Sequence, residues 1–375
     1  MHVVIAAGGT GGHLYPAVAL AREFFRQDPS STVLFVGTSR GLETKVLAHE
    51  GFELARITAR PVMGRSMWKA GSALLALPAG VLQSIALLRA RRAQLVIGIG
   101  CYTSPPVLLA AVLLRIRRAV LEPNAFPGVA NRALGPWMDR VFVAYQAAAS
   151  FFRQDTVLVT GTPIRRDFLT QLGRAAEHKK GPTLLIFGGS QGSQAINQAV
   201  LDALPHLALL RTGWTIIHQT GERDHERIRA AYRAFGITEE RAAVVPFLFD
   251  MPRALTSADL VVSRAGAVTM AELAAGGKPA LLVPLPTAIH DHQMHNARVV
   301  EQAGAAVVLR QQDLTGPALA QGIDSLAADA ARLRTMSERS RALARTDAAE
   351  AIVRECRTLV GDTHDANQPA GARTS

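Results

Sequence analysis

Aromatic residues, cysteine and acidic side chains are all scarce in this chain. Phe, Trp and Tyr make up 5% of 375 residues, and the basic clusters Arg89-Ala-Arg91-Arg92 and Arg115-Ile-Arg117-Arg118 carry no interleaved aromatics. That pattern argues against a nucleic-acid-binding surface. Cys101 and Cys356 are the two cysteines, far apart and in no C-x-x-C pair, which excludes a disulfide framework and a thiolate metal site and reads as two buried thiols. Asp and Glu number 30 against 41 Lys and Arg, a net charge of +11 that attracts anions such as nucleotide sugars or phospholipid surfaces. A basic leader is missing too: Met1-His2-Val3 runs straight into a strand-like segment, the pattern of a cytosolic protein without a signal peptide.

Long apolar runs are also lacking, with one near exception. Ala70 to Leu88 holds no charge, but Gly71, Ser72, Pro78, Gly80, Gln83 and Ser84 interrupt it, and the strand-like Gln94-Leu95-Val96-Ile97-Gly98 follows. The segment therefore reads as a crossover helix packed on a sheet rather than a membrane span. A second reading stays open, in which Met63, Met67, Trp68, Leu74, Leu75 and Leu77, rimmed by Arg65, Lys69 and Arg89, seat on an anionic bilayer.

Two glycine-rich turns dominate what is present. Gly8-Gly9-Thr10-Gly11-Gly12-His13 follows Val3 to Ala7, and Gly188-Gly189-Ser190-Gln191-Gly192-Ser193 follows Thr183 to Phe187. Both runs are apolar and rich in β-branched residues, as in strands covered on two faces, and both turns open helical patterns. Glycine lets a ligand approach the unpaired amides of a helix N-terminus, where anions and sugar oxygens are favoured. Neither turn is a nucleotide fingerprint. The first lacks the G-x-G-x-x-G spacing and an acidic residue about 20 positions on, and neither has the P-loop lysine: Gly12 precedes His13 and Gly192 precedes Ser193. Hydride transfer and ATP hydrolysis both lose ground.

Strand and helix signals alternate on either side of Gly161-Thr162-Pro163, whose Gly and Pro mark a hinge. The first half carries strands at Val3 to Ala7, Thr32 to Gly37 and Val141 to Val143, with helices at about Tyr15 to Arg26 and Leu42 to Glu50. The second has strands at Thr183 to Phe187, Thr215 to Gln219, Ala243 to Pro246, Leu260 to Ser263, Ala280 to Val283 and Ala306 to Leu309. This order predicts an α/β fold of two Rossmann-like domains, each with a parallel sheet, facing across a cleft. The divisions are 1–163 for an acceptor and membrane-facing domain, 164–345 for a sugar-nucleotide domain, 346–360 for a C-terminal helix, and 361–375 for a disordered polar tail.

Taken together, the glycine turns, Ser263-Arg264-Ala265-Gly266-Ala267, the Glu272 helix, and Asp291-His292-Gln293 with Asn296 three residues on resemble the MurG family. These bacterial N-acetylglucosaminyltransferases complete the lipid-linked peptidoglycan precursor. The resemblance runs from about residue 1 to about 345. It implies a GT-B glycosyltransferase that inverts configuration while moving N-acetylglucosamine from UDP-GlcNAc to the C4 hydroxyl of undecaprenyl-pyrophosphoryl-MurNAc-pentapeptide. It further implies no metal or other cofactor, a peripheral position on the cytoplasmic face of the inner membrane, contact with anionic lipid, and association with cell-wall synthesis and division proteins. No Asp-x-Asp pair is present to hold a cation, so UDP would leave against helix N-termini and arginines.

Residue by residue, the resemblance makes His13 the catalytic base or positioning group, a role its near-neutral pKa suits; a helix-capping role is the alternative. Thr10, Gly11, Gly12 and Asn124 are implied in substrate binding. Arg165, Ser190 and the amides of Ala267, Val268 and Thr269 receive the diphosphate. Arg264 takes phosphate or uracil, the Leu248 backbone takes uracil, and His292 with Gln293 takes the sugar hydroxyls. Glu272 is assigned to the ribose, although its position three residues after Thr269 is also capping-box spacing. His290, His292 and His295 match no usual zinc spacing.

Two departures stand out. Leu121-Glu122-Pro123-Asn124 replaces His-Glu-Gln-Asn, with the proline removing an amide donor, and Gly161-Thr162-Pro163-Ile164-Arg165 replaces Gly-Asn-Pro-Val-Arg. Glu122 and Asn124 could bind sugar or brace a loop. The rival readings are a related transferase with another lipid or natural-product acceptor, a UDP-N-acetylglucosamine 2-epimerase, and an inactive sugar-nucleotide-binding scaffold at the membrane.

Overall fold

The computed structural model describes residues 1–8, 11–38, 43–60, 67–172, 181–286, 288 and 291–361, giving only the backbone for 67–75. The first sheet comprises β1 (His2–Ala6), β2 (Thr32–Gly37), β3 (Glu53–Arg56), β4 (Leu95–Gly98), β5 (Arg117–Glu122), β6 (Arg140–Val143) and β7 (Val157–Val159). They lie in the order β3-β2-β1-β4-β5-β6-β7, every neighbouring pair parallel. The second comprises β8 (Thr183–Phe187), β9 (Thr215–Gln219), β10 (Ala242–Val245), β11 (Leu260–Ser263), β12 (Ala280–Leu282) and β13 (Ala306–Val308), also all parallel, in the order β10-β9-β8-β11-β12-β13. Each order reverses beside its first strand, so the crevices open at the carboxyl ends of β1 and β4 and of β8 and β11.

Alternation along each strand divides its side chains between two cores. Val3 and Ile5 join Phe35, Leu95 and Ile97 on one face, while Val4, Ala6, Leu34, Val36 and Val96 meet the helices on the other. In the second sheet Leu184 and Ile186 face one way and Leu185 and Phe187 the other. Each such valine, leucine, isoleucine or phenylalanine contributes about 1.5–3 kcal/mol on burial, which is why strands covered on both faces read as continuous apolar runs.

Several boundaries differ from the sequence reading. The first helix is Gly11–Gln27, starting four residues before Tyr15 and carrying Pro16 inside it. Two glycines and a proline are poor helix signals, and packing overrides them here. β3 and β5 carry too much charge to read as buried strands; Arg117 and Arg118 open β5 rather than extending a helical basic cluster. The uncharged run forms the helix Met67–Ala90. Among the described residues no helix is long and apolar enough to cross a membrane. The polar tail from residue 362 onward lies outside the described residues.

The chain crosses between the sheets twice. It leaves the first after β7 and returns near Arg345, whose side chain packs against Gly161 so closely that a Cβ there would stand 2.4 Å from it. The final helix, Ala348–Val360, then joins the first sheet, burying Ile352, Val353 and Cys356 against Val3, Ile5 and Leu14. Arg140 fixes it through Glu355 at 2.6 Å.

Candidate active site

The first glycine turn begins at Gly8, beyond the end of β1; Gly9 and Thr10 lie outside the described residues. His13 falls in the first turn of the helix that follows, half-buried. Burial, and then the charge of His292 from the opposite half, push its pKa down to about 4, so the imidazole is neutral at pH 7. His292, from the second half, is thus near enough for its charge to act on His13. His290 lies outside the described residues.

The wall beside Gly8 is a polar group that the sequence reading missed. Glu43 is fully buried and accepts from the Thr38 amide at 3.3 Å and hydroxyl at 3.1 Å, and the Thr38 hydroxyl meets Tyr102 at 3.2 Å. A Cβ on Gly8 would lie 3.2 Å from the Glu43 carboxylate. The buried carboxylate thus fixes the turn after β2 and lies close against Gly8, beyond β1. Its one signal was an acidic residue at the start of a short helix, a common surface feature.

The second glycine turn closes on Ser193, which caps the helix Gln194–Ala203 by accepting from the Ile196 amide, while Ser190 stands exposed at its tip. Gly192 has φ +74°, and a Cβ there would meet the Thr220 carbonyl at 1.9 Å. Behind the turn, His218 is fully buried and neutral, its pKa pushed by burial to about 3. Its Nε2 donates to Asn197 Oδ1 at 3.1 Å, because Asn197 gives its own amide hydrogens to the Thr220 carbonyl and Asp224, both at 2.8 Å. Nδ1 then accepts from Tyr232 at 3.3 Å.

Arg264 stands where the sequence reading put a phosphate or uracil contact, but its guanidinium is turned inward. It is buried and donates to the carbonyls of Val283 at 3.0 Å and Pro284 at 3.3 Å, and to Ser193 Oγ and Gln311 Oε1 at 2.7 Å each. Desolvation lowers its pKa to about 10, still charged. It ties the second glycine turn to the ends of β11 and β12.

The helix Ala267–Gly276 has Gly266 as its N-cap. The amides of Ala267, Val268 and Thr269 therefore open the helix, and Glu272 lies a full turn inside it, which removes the capping-box reading. Burial raises the Glu272 pKa to about 7, against the opposing field of Arg165. Arg165 is shared across the crevice: its guanidinium lies over the Tyr15 ring at 5.3 Å and 3.7 Å from Glu50. Leu248 is half-buried between the exposed Phe247 and Phe249.

His292 and Gln293 open the helix His292–Gln302, preceded by Asp291 at φ +53°. Gln293 Oε1 accepts from the Leu285 amide at 3.0 Å. On the facing loop Glu122, 2% exposed, accepts from the Asn124 amide and side chain at 3.0 and 3.1 Å, the Gly128 amide at 2.8 Å and Asn131 at 2.9 Å. Burial pushes its pKa up and these donors oppose the shift. Glu122 and Asn124 brace this loop.

The chain matches the glycosyltransferase family 28 N-terminal domain over residues 3–143 and the family 28 C-terminal domain over residues 183–352. It belongs to glycosyltransferase family 28. This family 28 enzyme is 45% identical, over 96% of its length and 99% of the relative's, to a protein of Syntrophus aciditrophicus (strain SB) named UDP-N-acetylglucosamine–N-acetylmuramyl-(pentapeptide) pyrophosphoryl-undecaprenol N-acetylglucosamine transferase. The crystal structure of Acinetobacter baumannii MurG superposes with a TM-score of 0.78 at 28% identity, covering 95% of this chain and 99% of that one. A UDP-N-acetylglucosamine 2-epimerase superposes with a TM-score of 0.66 over 100% of this chain and 99% of that one, but at 15% identity it speaks for the fold alone. The N-terminal match spans β1 to β6 of the first sheet and the C-terminal match spans the whole second sheet, so each crevice belongs to one half of the family 28 architecture.

Proposed function

We propose that this family 28 transferase moves N-acetylglucosamine from UDP to the C4 hydroxyl of the muramoyl residue in undecaprenyl-pyrophosphoryl-MurNAc-pentapeptide, with inversion. The observation that carries the reading is 45% identity, nearly end to end, with a transferase named for that reaction. In the proposed step His13, neutral at pH 7, accepts the hydroxyl proton as the oxygen attacks C1 of the donor sugar. The bond from C1 to the β-phosphate oxygen breaks on the opposite face, and its electron pair leaves with UDP. The negative diphosphate drawn beside His13 favours the imidazolium and raises its basicity as the proton transfers. The amides opening Ala267–Gly276, with Ser190 and Arg165, receive the diphosphate. Glu272 accepts from the ribose hydroxyls, the Leu248 backbone meets uracil, and His292 and Gln293 contact the sugar. Arg264 acts by bracing the second glycine turn, and Asn124 by shaping the acceptor side together with Gly11 and Gly12.

The acceptor's lipid chain requires access to a membrane, and the net charge of +11 suits an anionic surface. On the helix Met67–Ala90 the exposed Pro78, Leu82, Ala86 and Arg89 form a stripe. Leu113, at the end of the neighbouring helix Ser104–Leu113, is also exposed. Met63, Arg65 and the side chains of Met67, Trp68, Lys69, Leu74 and Leu75 lie outside the described residues. The reading includes peripheral attachment to the cytoplasmic face of the inner membrane through this stripe, alongside cell-wall synthesis and division proteins.

Incubation with UDP-N-acetylglucosamine and a short-chain lipid-linked muramoyl pentapeptide tests the reaction. The expected outcome is disaccharide product with release of UDP, and a loss in kcat of about 10²-fold or more in His13→Ala. UDP affinity without product, or formation of the C2 epimer of the donor, overturns the reading.

A further inference from the structure

We infer that Asn296 is a positioning residue, a strut that sets the acceptor half of the molecule against the donor half for transfer; the inference rests on the function proposed above. Its side chain is fully buried, yet it is polar and far from either glycine turn in sequence. Its bonds join the two halves of the molecule. Oδ1 accepts from the Ala125 amide at 2.8 Å, Nδ2 donates to Asn124 Oδ1 at 3.1 Å, and Nδ2 also donates to the Ala265 carbonyl at 3.1 Å.

The partners lie on two functional pieces, and Asn296 stands on a third. Asn124 and Ala125 belong to the first half, where Glu122 clamps Asn124 through both its amide and its side chain. Ala265 immediately precedes Gly266, the N-cap of the helix whose first amides and Glu272 are assigned to UDP. Asn296 itself stands four residues after His292, one turn along the same helix face. Next to it, His295 stacks on Phe126 of the first half, ring centroids 4.8 Å apart and planes 19° from parallel.

The contact requires one acceptor and two donors in a planar group of this size. A carboxamide supplies that set; a carboxylate offers no donor and an aliphatic side chain offers neither. Because His13 and the sugar-binding residues sit on opposite halves, the strut governs their separation without touching substrate. An error of about 1 Å in such a separation can cost on the order of 10²-fold in rate.

Asn296→Ala is therefore expected to lower kcat by roughly 10- to 100-fold while leaving the Kd for UDP unchanged, since UDP contacts lie within one half. Asn124→Ala, which removes one of the three bonds, should lower kcat by less, and the double variant should be no slower than Asn296→Ala, because Asn124 acts through the same strut. Independently of turnover, nitroxide labels at Ser150→Cys and Ser325→Cys, exposed positions on opposite halves, with Cys101 and Cys356 buried, read the interdomain distance by pulsed electron resonance. The distribution should broaden in Asn296→Ala. Wild-type kcat, a loss of UDP affinity equal to the loss of kcat, independent effects in the double variant, or an unbroadened distribution would each overturn the strut. An inactive wild type would instead overturn the functional reading, and the distance measurement would still decide for or against the strut.

Discussion

Glu272 and Arg264 carry opposite lessons about a charged residue near a crevice. The Glu272 carboxyl is held near a pKa of 7 by burial and partly restored by Arg165, so at neutral pH it is divided between acid and carboxylate. Ribose hydroxyls donate, and they need the carboxylate. UDP affinity should therefore rise with pH, by about tenfold between pH 6 and pH 8 for a group of pKa near 7 that binds only when ionised. Glu272→Gln should remove that dependence. Calorimetric titration of UDP across this range, wild type beside the variant, checks it; the same slope in both proteins would dissociate Glu272 from the ribose. Arg264, by contrast, has four acceptors around its guanidinium. A sequence shows that an arginine follows a strand but not which way its side chain turns, and here the carbonyls of Val283 and Pro284, beyond the end of β12, drew it inward.

Within elements, the glycine turns show how closely backbone segments pack. Gly189 and Gly192 share one turn and both have positive φ, +93° and +74°. A Cβ on Gly189 would meet nothing within 4 Å, whereas one on Gly192 would collide with the Thr220 carbonyl at 1.9 Å. Gly189→Ala should cost about 1–2 kcal/mol, the left-handed penalty alone. Gly192→Ala should cost more and weaken UDP binding at least tenfold, since the whole turn must move away from β9. Denaturant melts with UDP titrations compare them; equal losses would show that the close approach carries no weight. The turns were legible because a glycine cluster directly after an apolar, β-branched run marks the end of a buried strand. The His218, Asn197 and Tyr232 network behind the second turn was not, because each residue alone reads as ordinary and only the fold of β9 against two helices makes one hydrogen-bonded set of them. Likewise the helix N-cap at Gly266 displaced the capping box suggested by Thr269 and Glu272: the strand ends at Ser263, leaving the chain room to enter the helix three residues earlier.

For the whole molecule, the decisive features are the second crossing and the charge distribution. The helix Ala348–Val360 returns to the first sheet and completes its core, so it shares one core with β1. The arginines of the two basic clusters lie at the amino ends of β4 and β5, opposite the glycine-turn mouth, and some are paired: Arg91 with Glu53, Arg118 with Asp139. Leu82 and Leu113, 68% and 66% exposed, are large apolar side chains of the first half that stand out to solvent. The doubly substituted Leu82→Asp, Leu113→Asp protein should bind anionic vesicles several-fold less tightly than wild type while keeping its affinity for UDP. Co-sedimentation with anionic and neutral vesicles at low and high salt measures this; an unchanged variant, or a wild type with no salt-sensitive preference for anionic lipid, would reject the lipid-facing stripe.

The sequence by itself determined the two parallel sheets and the placement of the glycine turns at strand ends. Those features follow from local chemistry: buried strands must be apolar, and a helix N-terminus approached by a ligand favours glycine. Tertiary structure alone decided that Arg264 faces inward, that Glu43 and His218 lie buried behind the two turns, and that Asn296 joins the halves. Each of those outcomes depends on unpaired polar groups contributed by distant segments, and a buried donor or acceptor finds its partner only once the chain has folded around it.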